Sequence, residues 1–89
     1  MPKAEIAWKR VTADGEKLQV YAQHIGRDYH FFHRAKRFDV WQRVPEPPLE
    51  DWLELLDCVQ RLVNRRRYQP SDEEILRRQI RERFPEAGV

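Results

Sequence analysis

Val44-Pro45-Glu46-Pro47-Pro48-Leu49 decides the fold, because the period of the apolar residues changes across it. Pro45, Pro47 and Pro48 each lack a backbone donor and have φ fixed, so the segment reads as an extended corner over 45–48 and not as a central strand. Pro48 suits the first position of a helix, where the missing N–H has no intrahelical partner to lose.

On the C-terminal side, Leu49, Trp52, Leu53, Leu56, Val59 and Val63 recur at steps of three and four, with Leu55 and Leu62 widening the stripe. That spacing predicts an amphipathic helix over 49–67. Glu50, Asp51, Glu54 and Asp57 stand near its start and Arg61, Arg65, Arg66 and Arg67 near its end, the order that complements the helix dipole. A second helix is expected over 71–84, with Ser71 and Glu74 as its capping box and Pro85 as its stop. Leu76, Ile80 and Phe84 give it a narrow stripe, and Glu73–Arg77, Glu74–Arg78 and Arg78–Glu82 are spaced to pair across one turn.

On the N-terminal side the period is two. Residues 6–11, 18–25, 29–33 and 38–44 are short, aromatic or β-branched, and close to alternating. Asp14-Gly15, Gly26-Arg27-Asp28 and Arg34-Ala35-Lys36-Arg37 separate them, and turns this short join antiparallel neighbours. The expectation is an α+β domain spanning 1–89: an antiparallel β-meander of three to four strands over 4–44, then two C-terminal helices packed on one face. Trp52, Leu53, Leu56, Val59 and Val63 are expected to meet Leu18, Val20 and Ala22 in the core.

A chain of 89 residues is too short for a two-domain enzyme or a full nucleotide-binding α/β fold. Its mean hydropathy of −0.89 would permit disorder, but three Trp, three Tyr and four Phe supply core material that disordered chains lack. No stretch approaches the ~20 apolar residues of a membrane span, and Met1-Pro2-Lys3-Ala4-Glu5 opens no signal-peptide pattern. Cys58 is the single cysteine, so no intrachain disulfide forms and the cytoplasm is the expected compartment.

The net charge of +2 resolves into +4 over 1–44, −5 over 45–57 and +3 over 58–89. Helix polarity accounts for the second and third blocks. The first lies on the strands, among aromatics, and thirteen of the seventeen cations are Arg, a bias that a GC-rich genome would also produce.

Alternation puts Gln19, Tyr21 and Gln23 opposite the core face of the second strand, and Trp41 and Arg43 opposite Val40 in the fourth. Lys9, Tyr21, Phe32, Arg34, Trp41 and Arg43 are therefore the candidate binding residues, with Phe31 in place of Phe32 if the third strand faces the other way. Three uses fit such a surface. Cross-strand aromatic pairing stabilises a thin sheet. Trp, Tyr and Arg also anchor protein interfaces. Rings among cations stack the bases of single-stranded nucleic acid and hold its phosphates.

Other chemistry is poorly provided for. His30 and His33 fall on opposite faces of a strand, which does not suit one metal, and no recognised metal-ligand spacing occurs. Three glycines at 15, 26 and 88 make no phosphate loop, the single serine is Ser71, and no cofactor motif is present. An enzyme would need a pocket joining His30 or His33 to a carboxylate and an arginine. The expectation is a non-enzymatic module that binds a protein or a second copy of itself through the aromatic sheet face, with single-stranded nucleic acid as the alternative ligand.

Overall fold

The computed structural model describes residues 5–26, 28–36 and 39–89. Its element order is β1 (Glu5–Val11), β2 (Lys17–Ile25), β3 (Asp28–Arg34), β4 (Gln42–Val44), α1 (Leu49–Asn64), α2 (Pro70–Arg83) and a 3-10 turn over Pro85–Ala87. The strands form one antiparallel sheet in the order β1-β2-β3-β4, so the chain is α+β with a meander ahead of two helices. It falls into a sheet unit ending at Pro47 and a helical unit beginning at Pro48, the border lying within the expected corner.

In the sheet unit the first turn follows from Asp14-Gly15. The Gly15 N–H donates to the Thr12 carbonyl (2.9 Å) and the Thr12 N–H to the Glu16 carbonyl (2.8 Å), while Gly15 takes φ +84°. This is the three-residue loop closed by a left-handed glycine, and the Thr12 Oγ1 accepts the Glu16 N–H (3.1 Å) to brace it. The second turn is tighter: Ile25 faces Asp28 across Gly26 at φ +61°, so Asp28 already belongs to the strand. Arg27, Arg37 and Phe38, and Ala4 at the expected start of the meander, lie outside the described residues.

The fourth strand is shorter than its sequence pattern. Lys36 and Asp39 form a turn in which the Asp39 N–H donates to the Lys36 carbonyl (2.9 Å) and Asp39 Oδ2 accepts the Lys36 N–H (3.1 Å). Val40 is 83% exposed, and pairing begins only at Gln42, where His33 faces Gln42. An aspartate that satisfies its own turn competes with the ladder for backbone donors.

Register divides the strands into two faces. Ile6, Leu18, Val20, Ala22, Tyr29 and Phe31 share the buried one, as expected for Leu18, Val20 and Ala22. Trp8 meets Phe31 edge-on there (6.1 Å between ring centroids).

In the helical unit α1 buries Trp52, Leu55, Leu56 and Val59, and α2 buries Leu76 and Ile80. Leu53, expected in the core, is 37% exposed, while Leu55 is fully buried in its place. Asp51, one of the acidic residues at the start of the helix, is 1% exposed. Both observations rotate the buried stripe toward positions 51, 52, 55, 56 and 59, a tighter 3.6-residue fit than the stripe through 49 and 53. Pro48 is the residue before α1, with φ −67° and ψ 158°, and not its first turn.

The helix ends also differ. α1 stops at Asn64, and the arginine run forms its cap: the Arg66 N–H donates to Val63 O (3.0 Å) and the Arg67 N–H to Leu62 O (2.9 Å), with Arg66 at φ +60°. This is a Schellman turn with arginine in the left-handed position that usually holds glycine. α2 begins one residue earlier than expected, at Pro70, and its capping box uses Gln69 and Asp72 in place of Ser71 and Glu74; the Gln69 N–H donates to Asp72 Oδ2 (2.8 Å). Pro70 tolerates the first helical position, which moves the cap back to Gln69. Glu73 pairs with Arg77 at 2.9 Å, and Asp57 with Arg61 at 3.0 Å.

Candidate functional site

The six candidate residues share the outward face of the sheet. One row across the strands runs Ala7, Tyr21, Phe32, Arg43, and the next runs Lys9, Gln19, Arg34. Trp41, just ahead of β4, joins them over Tyr21. Phe32 faces outward and Phe31 is 1% exposed, which settles the alternative between them.

The geometry is that of upright rings. Tyr21 and Phe32 stack with centroids 4.8 Å apart and planes 15° from parallel. That separation equals the ~4.8 Å between neighbouring strands, so the rings stand side by side on the sheet and present their edges outward. Trp41 meets Tyr21 at 4.7 Å and 87°. The Arg34 guanidinium lies 4.2 Å over the Trp41 ring, and its Nε donates to Gln19 Oε1 at 2.7 Å. Gln19 was not among the sequence candidates; a neutral side chain that positions a cation leaves no signature in a one-dimensional pattern.

Tyr21, Phe32, Arg34 and Trp41 are consequently half-buried within the sheet unit, whereas Lys9 and Arg43 are exposed at its two sides. Exposed apolar residues border the cluster, Val11 at 61% and Ile25 at 49%. Beside β1, an open depression of about 280 Å³ is lined by Ala7, Lys9, Gln19 and Trp41 with the strand segments at Trp8 and Val20.

A second depression, of about 370 Å³, joins His33 to Glu16, Arg34, Asp39 and Gln42. These are the residue types an acid–base site requires, but their hydrogen bonds run elsewhere. Asp39 accepts from the Lys36 backbone, Arg34 is engaged with Gln19 and Trp41, and His33 Nδ1 is buried without a hydrogen-bond partner among the described residues. A general base needs an orienting partner on its second nitrogen. His30 lies on the outward face, apart from His33, as alternation requires.

In the helical unit, burial raises the Cys58 thiol pKa, against the weaker opposing influence of Arg61, whose Nη2 lies 3.4 Å from Sγ. A thiol held neutral is a poor nucleophile. Among the described residues, no group of three or more His, Cys, Asp or Glu is placed to hold a metal ion, and no helix is long and apolar enough to cross a membrane. Comparison with family models, curated proteins and solved structures finds no match to this chain.

Proposed function

We propose that the chain is a non-enzymatic protein-interaction module, working in the cytoplasm, whose partner or second copy covers the outward face built on Tyr21, Phe32 and Trp41. The orientation of the rings carries this reading. Stacked upright against each other at 4.8 Å, they offer edges and an apolar rim, which suits the close packing of side chains at a protein interface. Single-stranded nucleic acid needs free ring faces. Here Tyr21 and Phe32 use a face on each other, and Arg34 occupies a face of Trp41.

The test combines sedimentation equilibrium of the full chain with photo-cross-linking from a benzophenone side chain placed at Gln23, on the same face, in the host cell. Self-association, or a discrete cross-linked protein that is lost in Phe32→Ser, supports the module. A monomer at every concentration with no specific cross-link from Gln23 overturns it. Tryptophan fluorescence titrated with a single-stranded oligonucleotide separates the alternative: quenching that is strongest at low salt assigns the face to nucleic acid.

A further inference from the structure

We propose, resting on the interaction-module reading above, that the open edge of β1 takes an extended segment of a partner protein, one that presents an acidic side chain between two apolar ones on the same strand face. Among the described residues β1 pairs with β2 alone, and the hairpin bonds at Thr12 and Glu16 turn every second residue toward β2, so the backbone donors and acceptors of Ala7, Lys9 and Val11 face the other edge. An added strand satisfies them, and side-chain positions along the edge then select its sequence.

The outward face of β1 supplies three such positions in succession. Ala7 is too small to fill the space between the strand and Trp41, and the depression of about 280 Å³ lies there. Lys9 follows, exposed beside Gln19, and then Val11, 61% exposed. Lys9 and Lys17 are both cationic and exposed on this face, and Lys9 stands between Ala7 and Val11, so the position beside it favours an anionic side chain. Side chains of a paired strand face the same side at every second residue, which places an apolar group over Ala7, a carboxylate beside Lys9 and an apolar group against Val11. The pattern is symmetric about its acid, so parallel and antiparallel strands satisfy it equally.

The experiment uses the full chain and a fluorescent, end-capped heptapeptide of threonine with leucine, glutamate and leucine at its second, fourth and sixth positions, read by anisotropy. Its counterpart carries lysine in place of glutamate. The wild type binds the glutamate peptide about tenfold more tightly, and Lys9→Glu reverses the order, a charge swap that unfolding would not produce. Ala7→Leu fills the depression and weakens binding. Of two peptides N-methylated on alternate residues, the one blocked on the side facing β1 loses binding and the other keeps it. Equal binding of both charge forms, no response to Lys9→Glu, or equal tolerance of both N-methylation patterns overturns the proposal. A dimer whose formation is indifferent to Lys9→Glu but blocked by Ala7→Pro, which removes an amide from the open edge, overturns it too, assigning the edge to a second copy. A partner lost to Arg43→Glu while the peptide fails to bind sinks the edge proposal alone and leaves the aromatic-face reading standing.

Discussion

Arg66 shows how a single residue is made to serve a turn against its own preference. Its φ of +60° belongs to the left-handed region, where a Cβ costs about 1–2 kcal/mol, and the Arg66 and Arg67 amides close the end of α1 regardless. Arg66→Gly removes the clash and returns part of the gain as unfolded-state entropy, so urea unfolding is expected to show about 0.5–1 kcal/mol of added stability. An unchanged midpoint would contradict the Schellman geometry. Titration makes a second test at this scale. Burial raises the pKa of both Cys58 and Tyr68, with Asp72 adding to the effect on Tyr68. The folded state therefore keeps these groups neutral after the unfolded chain has begun to ionise them. Their contribution is fully present at neutral pH and is lost as pH rises from the ordinary thiol and phenol range through the raised values. Thermal melts across the alkaline range should show that decline, and Cys58→Ala and Tyr68→Phe should each flatten it.

Among the elements, α1 reverses two leucines, since periodicity sets Leu53 in the core stripe and Leu55 at its flank. Leu55 is fully buried and Leu53 is 37% exposed. Leu55→Ala should cost about 2–5 kcal/mol, and Leu53→Ala under about 1 kcal/mol, in chemical unfolding. Equal costs would place the helix in a different rotation. The sheet has its own test in the Tyr21–Phe32 pair, whose double-mutant cycle to leucine should give a coupling of about 0.5–1.5 kcal/mol. A coupling near zero would mean the rings do not stack. Both cases show where pattern reading stops. Alternation in β2 and β3 sorted Val20 and Ala22 from Tyr21, and left open whether Phe31 or Phe32 faced out, because adjacent phenylalanines satisfy either parity. Register decided it by setting Ala22 opposite Phe31 and Tyr21 opposite Phe32. The fourth strand was overextended for a different reason: Asp39 satisfies a turn with Lys36 that no β propensity anticipates.

For the whole molecule, the net charge of +2 conceals a cation-rich outward sheet face, with Lys9, Lys17, Arg34 and Arg43 on it against Asp28 at the start of β3. Any association through that face with an acidic partner should weaken steeply as salt rises, since exposed charges are screened within about 10 Å at 0.1 M. Salt-independent affinity would place the contact elsewhere. The sequence by itself determined the order of the elements, their two periods, the proline corner between them and the shared face of Gln19, Tyr21 and Gln23 in β2. Those properties are local, written in alternation, helical spacing and backbone restriction, and the α+β meander follows from them. Only the tertiary structure decided that Tyr21 and Phe32 stand stacked, that Gln19 holds Arg34 over Trp41, that Ala7 leaves a depression beside an open edge, and that Asp51 and Leu55 are buried where Leu53 is not. These depend on distances between residues remote along the chain, which register and packing fix and which no repeat in the sequence encodes.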